Sequence, residues 1–93
     1  AKDFVLRRDT VVGLQVVDVR NESEFKLGSV LGAQNIPVVQ LPNRLVELDA
    51  SLPTVVYCAG GYRSSIAASL LKRSGFVDVS DVLGGFESIV LAG

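Results

Sequence analysis

Thr54-Val55-Val56-Tyr57-Cys58-Ala59-Gly60-Gly61-Tyr62-Arg63-Ser64 runs directly into Ser65-Ile66-Ala67-Ala68-Ser69-Leu70-Leu71-Lys72-Arg73. The first four residues are β-branched or aromatic and predict a buried strand. Two glycines then break the run, and apolar residues return at helical spacing. The stretch therefore predicts strand, turn and helix in that order. The helix is expected over 64–74, with Ile66, Ala67, Leu70 and Leu71 inward, Ser64 and Ser65 capping it, and Lys72-Arg73 before Gly75 closing it.

Cys58, the only cysteine of the chain, stands where that strand ends. A lone cysteine in an apolar chain is by type a core residue. The neighbours argue otherwise. Gly60 and Gly61 let successive backbone N–H groups converge into an anion-binding nest, and the helix N-terminus adds its partial positive charge. Such surroundings lower a thiol pKa, and the thiolate is the reactive form. Arg63 adds a permanent guanidinium at the loop's far end. A thiolate ringed by donors is suited to attack the electrophilic end of an anionic substrate.

Working outward, Leu14 to Val19 reads as a second buried strand, and Asn21 with Glu24 as a capping box opening a short helix to about Leu27. Ala33 to Ile36 predicts a short strand stopped by Pro37. Leu41, Leu45 and Leu48 recur at helical spacing, which predicts an amphipathic helix around 40–49 with Pro42 in its first turn. Val77 to Leu83 contains another strand, Gly84-Gly85 a turn, and Phe86 to Ala92 a last helix. Phe4-Val5-Leu6 reads as an edge strand. Alternating strands and helices predict an α/β fold, a mainly parallel sheet of about five strands with helices on both faces. In such sheets the binding crevice lies beyond the carboxyl ends of the strands, so Cys58 is expected to face it.

The 93 residues form a single domain, 1–93, with 1–13 the least patterned part. Nine Lys and Arg against ten Asp and Glu leave no basic footprint, so nucleic acid is not an expected partner. No apolar run approaches the roughly 20 residues needed to span a bilayer. One cysteine suits a reducing compartment, and a cytoplasmic location is expected. The absence of histidine removes Cys-His and Ser-His pairs and His-based metal sites. No metal or organic cofactor is implied. The chain begins at Ala1 rather than Met, which suggests a domain cut from a longer protein.

The loop from Cys58 to Ser64 resembles the active-site loop of rhodanese-homology domains. The resemblance extends through Val17-Asp18-Val19-Arg20-Asn21-Glu22-Ser23-Glu24-Phe25, Gly28, Gly32-Ala33-Gln34-Asn35-Ile36-Pro37, and Gly84-Gly85-Phe86 with Ala92-Gly93. It implies a rhodanese-like fold and sulfurtransferase chemistry. Cys58 would take a sulfane sulfur from thiosulfate or a low-molecular-weight persulfide and pass it to a thiol or cyanide. Ala59, Gly60, Gly61, Tyr62, Arg63 and Ser64 would bind the substrate, and Asp18 and Arg20 would position the loop and its helix. Arg20 with Glu24 reads as a structural ion pair.

The sequence departs from the family pattern at Ser29, where histidine is common, and at Ile89, where tryptophan is common. It departs again at Ala59, where a polar or basic side chain is common, which favours a persulfide donor over thiosulfate. The loop and the following Ile-Ala-Ala-Ser are also similar to rhodanese domains fused to metallo-β-lactamase-fold persulfide dioxygenases. Two alternatives stand beside the enzyme: a non-catalytic regulatory or carrier module of a multidomain protein, and a cysteine phosphatase. Related phosphatases resemble C-x5-R, whereas Cys58 to Arg63 is the shorter C-x4-R, which favours sulfur.

Overall fold

The computed structural model describes residues 13–82 and 84–92, so the strand expected at Phe4 to Leu6 lies outside the described residues. Among the described residues four strands form one sheet: β1 (Gln15–Asp18), β2 (Gln34–Asn35), β3 (Thr54–Tyr57) and β4 (Val79–Asp81). Their order is β2-β1-β3-β4 and every pairing is parallel. The α-helices among the described residues are α1 (Glu22–Leu27), α2 (Tyr62–Arg73) and α3 (Gly85–Ala92). Among the described residues no helix is long and apolar enough to cross a membrane.

All four residues of β3 are buried, as a central strand covered on both faces requires. Its side chains alternate between two cores. Val56 and the following Cys58 pack with Val17, Ala67 and Leu71 on the α2 side, whereas Val55 and Tyr57 pack with Val82 and Ile89 on the α3 side. Register aligns the carboxyl ends of the strands. Asp18 lies opposite Tyr57, and Val56 opposite Asp81, so Cys58 leaves the sheet between the ends of β1 and β4.

Two expected helices differ from those observed. Over 40–49 the backbone forms two 3-10 turns, Leu41–Asn43 and Leu45–Glu47, rather than one α-helix. Pro42 contributes no N–H, and Arg44 lies at φ −124°, ψ 15°, outside the helical well. Each turn therefore closes on an i→i+3 bond, such as Arg44 N–H to Leu41 O at 3.0 Å and Leu48 N–H to Leu45 O at 3.1 Å. The leucine spacing still selects the inward face, because Leu41 and Leu48 are buried and Leu45 packs on the same core.

Helix α2 begins two residues earlier than expected. Gly61, at φ 105°, is its N-cap, a conformation that L side chains rarely adopt. Ala67 and Leu71 are buried and Leu70 packs on the same core, as expected, but Ser64 and Ala68 complete the buried face and Ile66 is 48% exposed instead of inward. Ser64 and Ser65 consequently lie inside the first turn and are not the cap.

Candidate active site

The Gly61 turn brings its own N–H to 3.0 Å from Cys58 Sγ, and this N–H donates to the sulfur. Burial of Cys58 favours the neutral thiol. The Ser64 hydroxyl contact and the N–H groups of Ser64, Gly61 and Gly60 outweigh it, and the thiol titrates below its ordinary value. The sulfur is sealed rather than open to the crevice, with Cys58 only 1% exposed. The N–H groups that stabilise negative charge also close over the sulfur. The next two residues, Ala59 and Gly60, are exposed, and nothing lies within 4 Å of where a Gly60 side chain would begin.

The floor of the loop rests on the start of α3. Phe86 N–H donates to Cys58 O at 2.7 Å. Gly85 makes this approach possible, since a Cβ there would collide with the backbone oxygens of Cys58 and Ala59. Gly84 forms the expected turn, and Gly85 after it is the shelf against which the loop is built.

Two ion pairs flank the loop, and they differ from the expected Arg20–Glu24 pair. Arg20 grips Asp18, with Nη2 at 2.7 Å from Oδ2 and Nε at 3.0 Å from Oδ1. It also donates from Nη2 to Gly28 O at 2.6 Å and lies over the Phe86 ring, 4.3 Å from its centre. Glu24 instead binds Arg63 in a fork, at 2.7 and 3.1 Å. The Asn21 N–H donates to Glu24 as well, at 3.1 Å, completing its half of the capping box. The Arg63 guanidinium, aided by that N–H, holds the Glu24 carboxyl at about 2 although partial burial pushes the other way.

Cys58, Gly60, Gly61 and Ser64 therefore converge, and Asp18 and Arg20 brace the shelf through Phe86. Tyr62 stands 78% exposed on the rim. Sequence reasoning missed Asp81, whose carboxylate accepts a hydrogen bond from the Ser64 hydroxyl. A polar residue ending a strand beside β3, at the carboxyl edge of a parallel sheet, was the available signal.

The model of the rhodanese-like domain family matches residues 3–92. The chain belongs to the rhodanese-like domain family. It is 40% identical over 73 residues to the protein YqhL of Bacillus subtilis, covering 78% of this chain and 58% of that one. It thus spans less than two thirds of that relative's length. It is 36% identical over 75 residues to the thiosulfate sulfurtransferase GlpE of Pseudomonas fluorescens, covering 81% of this chain and 69% of the other. Among solved structures, the Alr3790 protein from Anabaena sp. superposes with a TM-score of 0.88 at 29% identity, over 99% of this chain and 74% of that chain. The parallel α/β architecture expected from the strand and helix pattern is the rhodanese-like one.

Proposed function

We propose that this rhodanese-like domain is a sulfurtransferase in which Cys58 carries the sulfur. The observation that carries this reading is the Gly61 N–H on Cys58 Sγ inside a loop that lowers the thiol pKa. The kinship with proteins named thiosulfate sulfurtransferase supports it. The thiolate attacks the outer sulfur of the donor. A sulfur–sulfur bond to Cys58 forms, the donor's own sulfur–sulfur bond breaks, and its electron pair leaves with sulfite or with a thiolate. An acceptor thiol or cyanide then takes the outer sulfur and regenerates the Cys58 thiolate. The loop N–H groups stabilise the anionic sulfur at each stage. The step needs no metal or organic cofactor.

A low-molecular-weight persulfide suits the site better than thiosulfate. Thiosulfate is a dianion, Arg63 is already engaged by Glu24, and Ala59 adds no polar contact. The sealed sulfur and the occupied Arg63 also favour a second reading, a carrier module that opens fully only beside a fused or partner domain. In that case the isolated domain accepts sulfur but turns over slowly.

The test is intact mass after incubation with thiosulfate or with glutathione persulfide. One added sulfur atom is expected, removable by a thiol and absent in Cys58→Ala. No adduct from either donor sinks the sulfurtransferase reading.

A further inference from the structure

We propose that Asp81 restrains the ionisation of Cys58 by competing for the single proton of Ser64. The inference rests on the reading of Cys58 as the reactive thiol and adds a residue that neither the loop motif nor its spacing contains.

Ser64 is completely buried, so its hydroxyl must be satisfied within the protein. Three groups surround Oγ: the Asp81 carboxylate oxygen Oδ1, Gly61 O at 3.2 Å and Cys58 Sγ at 3.5 Å. A hydroxyl has one proton to give and two lone pairs to receive with. The carbonyl and the carboxylate can only accept. Bonds to an ionised acceptor are roughly twice as strong as neutral ones, so the proton goes to Asp81. Oγ then presents a lone pair to the sulfur. That suits a thiol, which can donate into it, and not a thiolate, which has nothing to donate.

When Cys58 ionises, two anions therefore contend for one proton. The thiolate is left mainly to the backbone N–H groups of the loop, and Ser64 serves it only as far as Asp81 releases the hydroxyl. Among the described residues, the charges that flank the loop are already paired. Arg63 of α2, whose charge reaches Cys58, is bound by Glu24 of α1, and Asp18 of β1 is bound by Arg20. Asp81 ends β4, which packs on both β3, the strand that leads into Cys58, and α2, the helix that carries Ser64. It acts through Ser64 and does not touch the sulfur, so it is a positioning residue. The consequence is a resting sulfur kept protonated further up the pH scale than it would be if the Ser64 hydroxyl were free to donate to it.

The experiment follows thiolate absorbance in the ultraviolet against pH, with Cys58→Ala as the blank. Because Cys58 is the only cysteine, the signal belongs to it without ambiguity. In Asp81→Asn the curve should move to lower pH, giving about tenfold more thiolate on its acid side. In a Ser64→Ala background the same substitution should change the thiolate by less than about threefold. An equal shift in both backgrounds overturns the proposal, since a bare charge effect needs no hydroxyl. No shift, or a shift to higher pH, in the Ser64 background also overturns it.

Should Asp81→Asn fail to fold, carbon NMR of the Asp81 carboxyl in the unaltered chain tests the same competition. Its resonance should move as Cys58 ionises and hold still in Cys58→Ala; a resonance indifferent to Cys58 overturns the proposal. A thiolate that forms only in the ordinary thiol range in the unaltered protein counts against the reactive-thiol reading itself. That result is visible without any Asp81 variant.

Discussion

The two carboxylate–guanidinium pairs beside the loop have the same chemistry and different work. Asp18–Arg20 is sealed, with side chains 0% and 6% exposed, and Arg20 spends further donors and its flat face on Gly28 O and the Phe86 ring. Glu24–Arg63 is about a third open to solvent, at 32% and 30%. A buried pair is costly to assemble and more costly to break by half, because the survivor is an uncompensated charge. A half-open pair is screened and exchangeable. The first is a fixed brace under the shelf that supports Cys58. The second is open enough to trade one anion for another, and the charge of its guanidinium reaches Cys58.

The largest effect should come from breaking the brace. Arg20→Met leaves Asp18 buried without its cation and is expected to cost about 3–5 kcal/mol, a large part of the roughly 5–15 kcal/mol that holds a domain together. Urea unfolding measures it. A loss below about 1 kcal/mol would place Arg20 with surface charges and erase the distinction between the pairs.

Glu24→Gln should act in the opposite register, with little change in stability and a clear change in donor use. The exposed pair is expected to contribute about 0.2–1 kcal/mol. Freeing Arg63 should lower KM for thiosulfate about threefold to tenfold, since a charge-assisted bond to the donor replaces one to Glu24. KM for a persulfide donor should move less. A thiosulfate KM that is unchanged or raised would show that Arg63 does not meet the donor, and the second pair would be a brace like the first.

The contrast also separates what the sequence could and could not reveal. β3 and the loop were legible because their signals are local: an apolar run, a single thiol, two glycines and an arginine at fixed spacing. The 40–49 segment was legible in its face but not in its backbone, since leucine spacing reports what is buried and not which bond closes the turn. The phase of α2 turned on Gly61 adopting φ 105°, and Ser64-Ser65 supplied an equally plausible start. The ion pairs were misassigned because Arg20 and Glu24 are neighbours by helical spacing. The real partners are two residues away for Arg20 and 39 for Glu24. Asp81 lies 17 residues from Ser64, and only the parallel register of β3 and β4 brings them together. Contacts made by topology leave no local pattern.

The smallest expected effect is a pH dependence that belongs to the open pair. Glu24 is held at about 2 in the folded protein against an ordinary value of 4.5, so the folded state holds its proton less tightly than the unfolded chain does. Stability from this group is therefore complete above about pH 4.5 and is lost as pH falls toward 2. Protonation also weakens the bond from Asn21 N–H that caps α1, so both losses coincide. Comparing the unaltered domain with Glu24→Gln by urea unfolding should give a stability difference that is constant from pH 7 to 5 and shrinks steadily below pH 4.5. A difference that persists unchanged at pH 3 would mean that Glu24 stabilises α1 by packing or by its neutral hydrogen bond. Charge exchange at Arg63 would then lose its energetic basis.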